Sequence, residues 1–104
     1  MKYNSCTVTE WTLLTNHARV LIAIVRLPGC RLRDLAEAVG LTERATIRIV
    51  RELAEAGYLT KHRIGNRSLY EVHADRPLRE HDVPRGDGQA TVGDLLRPVL
   101  QRVA

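Results

Sequence analysis

Three residues, Gly40-Leu41-Thr42, join two stretches whose apolar residues recur with a helical period, and this short joint constrains the fold more than any other feature of the chain. Upstream of it, Leu32, Leu35, Ala36 and Val39 line one face of a helix over about residues 32–39. Gly40 stands where a left-handed residue ends a helix, and Thr42 is a good N-cap for the next one. Leu41, a lone apolar residue between them, fits a turn whose side chain plugs the core. The helix after Thr42 runs to about Ala56, and Gly57 closes it. Centring Val50 on its buried face brings Thr46, Ile49, Leu53 and Gly57 beside it. At about 100° per residue, Arg44, Arg48 and Arg51 then share the opposite face, while Ala45 and Ile47 take the two flanks.

The flanking segments complete the order of elements. Leu14, Ala18, Leu21, Ile22 and Val25 predict a first helix within 11–27, capped by Thr15 or Asn16 and stopped at Pro28-Gly29. Trp11, Leu13 and Leu14 supply bulk just before it. After the third helix come two strand-like runs, Tyr58–Ile64 and Arg67–His73, separated by Gly65-Asn66. That spacing predicts a tight hairpin, with Leu59 facing Val72, Lys61 facing Tyr70 and His62 facing Leu69. The pattern then fails. Pro77, Pro84, Gly86 and Gly88 lie among charged residues, which is linker composition. Val92, Leu95, Leu96, Val99, Leu100 and Val103 restore a helical period, with Thr91 as cap and Pro98 as a kink or break. So short a helix is marginal alone and must lie on the domain or on a second copy of the chain. The expected division is an arm over 1–10, a folded domain over 11–78, a linker over 79–90 and a dimerising helix over 91–104.

Composition removes several function classes. The chain has 104 residues, 44% of them hydrophobic, so one domain is expected. No apolar run approaches the ~20 residues of a membrane span, and no leader pattern opens the chain. Cys6 and Cys30 are far short of a disulfide scaffold, so a reducing cytoplasm is the expected compartment. The four aromatics give few platforms for stacking single-stranded bases. The formal charge is +4, and between Thr42 and Ser68 six basic residues face three acidic ones. That local excess is compatible with a polyanionic partner.

Helix, short helix, tight turn, third helix and hairpin is the order of a winged helix-turn-helix: mainly α with a small β-hairpin, plus a C-terminal helix. The stretch Leu35-Ala36-Glu37-Ala38-Val39-Gly40-Leu41-Thr42-Glu43-Arg44-Ala45, and its continuation Ile49 to Leu59, resemble the DNA-binding core of MarR-like and ArsR-like bacterial regulators. The closest likeness is to their small single-domain actinobacterial form. It covers roughly residues 11–80. The resemblance implies a recognition helix over about 42–56 in the major groove and a wing over about 58–73 on the backbone or minor groove. It places Thr42, Arg44, Ala45, Ile47 and Arg48 at groove-facing positions. Ile47 departs from the family pattern, where a polar residue is commoner. It either touches a thymine methyl or packs.

The chemistry of the residues agrees independently. Arginine reads guanine through paired hydrogen bonds, and a helix N-terminus favours phosphate. Arg51 on the third helix and Lys61, His62, Arg63 and Arg67 on the hairpin are placed to reach bases or flanking phosphates. The competing reading pairs the helix arginines with Glu52 and Glu55 on a solvated face. No glycine-rich phosphate loop, nucleophile elbow or spaced carboxylate pair supports catalysis, so no enzyme is expected. His17 suits a partner to a helix or an interface better than a general base. His73, Asp75, His81 and Asp82 match no metal-site spacing, and no cofactor is expected. The expected function is sequence-specific binding of double-stranded DNA by a homodimeric transcriptional regulator, with no effector named by the sequence. The alternative is a winged-helix scaffold for protein or RNA.

Overall fold

The computed structural model describes residues 12–27, 29–79, 81–86 and 88–101. The predicted arm, Trp11 and Val103 lie outside them. The elements run α1 (Asn16–Arg26), α2 (Leu32–Val39), α3 (Glu43–Glu55), β1 (Leu59–Ile64), β2 (Arg67–Val72) and α4 (Val92–Gln101).

Local sequence sets the ends of these elements. Thr15 caps α1, its Oγ1 accepting the Ala18 N–H at 3.2 Å. Thr42 caps α3 in the same way through Ala45, at 3.0 Å. Gly40 ends α2 in the left-handed region, with φ 74°. The hairpin turn has positive φ at Gly65 and not at Asn66, the pattern of a two-residue turn that needs glycine in its first central position. The strands pair antiparallel in the expected register, Leu59 opposite Val72 and Lys61 opposite Tyr70.

One core joins three helices and the hairpin base. Val20, Ile24, Leu35, Ile49 and Leu59 are its most deeply buried large residues. Thr46, also fully buried, satisfies its hydroxyl by donating to the Thr42 carbonyl at 2.8 Å. Arg19 ties α1 to the end of α2, donating to the Val39 carbonyl at 2.8 Å. Leu13, expected to add bulk before α1, is 88% exposed and contributes none. It precedes the first helical turn, so no periodicity directs it inward.

The C-terminal segment is sewn onto this core. Val92 is 1% and Leu96 4% exposed, inside the same cluster. Leu95 and Val99, which flank this stripe on α4, are 41% and 38% exposed. Thr91 and Asp94 form a reciprocal cap, each backbone N–H donating to the other's side chain at 3.0 and 3.2 Å. The Thr91 backbone N–H first, and the Thr91 hydroxyl after it, hold the Asp94 carboxyl below its usual range, with Arg97 adding a smaller effect. The helix runs unbroken through Pro98. The stretch expected as linker leaves and returns at one place. Pro77 bridges Thr91, the Leu78 N–H donates to the Ala90 carbonyl at 2.9 Å, and the Gly93 N–H to the Ala74 carbonyl at 2.8 Å.

Candidate nucleic-acid interface

Helix α3 buries Thr46, Ile49, Val50 and Leu53, which leaves Arg44, Arg48 and Arg51 exposed on the opposite face. Ala45 is half-buried on one flank. Ile47, on the other, is 42% exposed and faces the hairpin. There it lines a groove of about 830 Å³ between α3, the hairpin and the α1–α2 corner. Val50 and Ala54 extend its apolar floor, and Arg31, Arg51, Lys61 and Arg63 supply cations to its walls. Ile47 therefore packs in part over the groove floor while the rest of it stays open to solvent.

Helix arginines paired with glutamates would make this face self-neutralising. That pairing is not observed. Among the described residues no carboxylate lies within ion-pair distance of Arg44, Arg48, Arg51, Lys61 or Arg63. Glu52 turns instead to His17 on α1, with Nε2 and Oε1 2.6 Å apart. That hydrogen bond is the main reason the Glu52 carboxyl sits below its usual range, with Arg48 and Arg51 adding weaker attraction from further away. The sequence offers His17 a helix or an interface as its partner, and here it is a helix. It could not name Glu52, which lies 35 residues away.

Thr42 keeps its expected position at the start of α3. Its Oγ1 accepts the Ala45 N–H, so the hydroxyl proton remains available to an anion approaching the helix N-terminus. On the hairpin, Lys61 and Arg63 share the inward side of β1 with Leu59, and both are exposed. His62, on the other side, bonds Glu71 at 3.0 Å. That bond is the largest cause of the lowered Glu71 carboxyl, with His73 second. Arg67 does not project freely from the tip. Its Nη2 donates to the Gly29 carbonyl in the α1–α2 corner. The neighbouring Cys30 thiol is pushed up by burial and then by Asp34, and the Tyr70 phenol by burial and then by Cys30. Sequence reasoning gave Gly29 no part in the interface, and no local signal would have done so.

The described residues hold no group of three or more histidines, cysteines or carboxylates able to grip a metal ion. No helix among them is long and apolar enough to cross a membrane.

The PcaV transcriptional regulator from Streptomyces coelicolor, solved with its natural ligand, is 36% identical with a TM-score of 0.49, over 64% of this chain and 48% of that one. ZitR from Lactococcus lactis, solved with DNA, is 16% identical with a TM-score of 0.46, over 95% of this chain and 65% of that one. The chain thus spans about half the length of PcaV and two thirds of ZitR. No curated protein matches it. The MarR family matches residues 11–66, from the residue before the described region to the hairpin turn. Of the two regulator groups the sequence resembles, this match supports the first, and since it takes in more than half of the 104 residues, the chain belongs to the MarR family.

Proposed function

We propose that the protein is a sequence-specific regulator of transcription that binds double-stranded DNA as a cytoplasmic homodimer, without enzymatic activity. The observation that carries this reading is a single surface, α3 with the hairpin, on which Arg44, Arg48, Arg51, Lys61 and Arg63 stand exposed with no carboxylate partner among the described residues. Unpaired cations repel one another and cost stability unless an anionic partner uses them. A helix about 10 Å across fits a major groove about 12 Å wide. In this reading Thr42, Arg44, Ala45, Ile47 and Arg48 face the base edges. Arg51 sits at their margin, and Lys61 and Arg63 meet the backbone beside the groove. Arg67 belongs to the same wing. The exposed Leu95 and Val99 on α4, with α1, supply the apolar surface that joins two copies.

The test is selection of bound sequences from a random duplex library at fixed salt. A regulator of this kind enriches a roughly palindromic site with half-sites about 34–36 Å apart. Weak, salt-sensitive binding to every duplex, with no enriched sequence, refutes the reading. It would leave a basic surface whose partner is protein or RNA.

A further inference from the structure

We infer that Arg67 positions the DNA interface rather than forming part of it: its guanidinium latches the wing to the α1–α2 corner and so fixes how far Lys61 and Arg63 stand from the α3 arginines. The inference rests on the proposed DNA-binding reading for its consequence, though not for the latch itself.

The hairpin has little else to hold its outer half. An isolated two-stranded hairpin is marginal in water. Beyond Leu59 every residue of β1 is exposed, so β1 gives the tip no anchor. Burial lies on β2, where Ser68, Leu69 and Tyr70 are half-buried. These side chains leave both faces of the strand, and the corner residues Gly29 and Cys30 meet them on both. A Cβ built on Gly29 would lie 3.7 Å from Arg67 Nη2 and 4.0 Å from Leu69 Cδ2. Tyr70 and Cys30 line the groove on the other side, close enough for the thiol to act on the phenol. Arg67 is the outermost of these attachments, next to the turn, and joins segments 38 residues apart. Arg63, one step across the ladder beside Ser68, makes no such bond among the described residues. Two arginines at one tip thus have different work: one is turned onto the protein, the other is left exposed in the groove.

The two roles separate experimentally. In protein carrying Cys6→Ser, Cys30 is the sole thiol, and its alkylation rate reports opening of the corner. Arg67→Ala and the milder Arg67→Gln are each expected to raise that rate about three- to tenfold, the range of one lost hydrogen bond. Both are expected to weaken binding to the selected duplex by a similar factor at every salt concentration, because no phosphate contact is lost. Arg63→Ala is the contrast. It leaves Cys30 at the wild-type rate and makes the slope of log affinity against log salt shallower by about 0.9. The inference is overturned if both Arg67 variants lose about 0.9 of slope while Cys30 reacts as in wild type. If the wild-type protein binds no duplex in a salt-dependent way, the DNA-binding reading fails by itself, and the Cys30 rates still decide whether the latch exists.

Discussion

Salt is the sharpest probe of the exposed cations, because the structure fixes how many can act. Arg51, Lys61 and Arg63 lie beside the base-facing residues, where the backbone runs, and among the described residues none has a carboxylate to give up, so each neutralises a phosphate with no competing pair to break. Each contact releases counterions and adds about −0.9 to the slope of log affinity against log salt. One copy using these three then gives a slope of about −2.7, and two copies on a palindrome about −5.4. Doubling monovalent salt from about 0.1 to about 0.2 M should therefore weaken binding about sixfold per copy, and about fortyfold for the pair. Fluorescence anisotropy of a labelled duplex across a salt series reads the slope directly. A slope shallower than about −2 would mean that fewer than three cations meet phosphate, and the assignment of this surface to DNA would fall.

Other perturbations separate folding from binding. Thr42→Asp keeps an oxygen to accept the Ala45 N–H, so thermal stability should hold, while its charge at the helix start should repel phosphate and lower duplex affinity; Thr42→Ala should instead cost about 1 kcal/mol in a denaturant melt. Leu96→Ala, which empties a site 4% exposed, should cost about 2–3 kcal/mol and lower Tm by roughly 10–20 °C. Leu95→Ala, 41% exposed, should leave a monomer's melt within about 0.5 kcal/mol and shift the monomer–dimer balance seen by sedimentation. The folded Glu52 carboxyl lies below its unfolded value, so its contribution is present above the usual carboxylate range and lost as pH falls through the folded value. Melts from about pH 6 to about pH 3 should show a smaller acid loss in Glu52→Gln than in wild type; equal losses would mean that the tie to His17 adds nothing.

Much of the frame was legible because it is written in neighbouring residues. The Gly40-Leu41-Thr42 joint, the caps at Thr15 and Thr42 and the hairpin register each depend on a few adjacent positions. The exposed arginines of α3 followed from helical period alone. What escaped the sequence spans long separations. Whether Glu52 would meet the arginines on its own helix or His17 on another depended on how α1 crosses α3. Arg67 carried the same composition signal as Arg63, and only the α1–α2 corner distinguishes them. The C-terminal period was visible, but how far α4 rolls inward, so that Val92 and Leu96 are buried while Leu95 and Val99 on the flank stay open, is set by the bonds that return the chain to residues 74–78.

That return has a consequence for how the chain tolerates change. Because Leu78 and Ala90 are already hydrogen-bonded to each other, the residues between them close a loop whose ends do not depend on its length. Doubling such a loop costs only about 0.6 kcal/mol in closure entropy. Residues 81–86 are exposed throughout. A peptide tag or a whole reporter domain spliced between Val83 and Pro84 would ride outside the fold, without disturbing helix or wing.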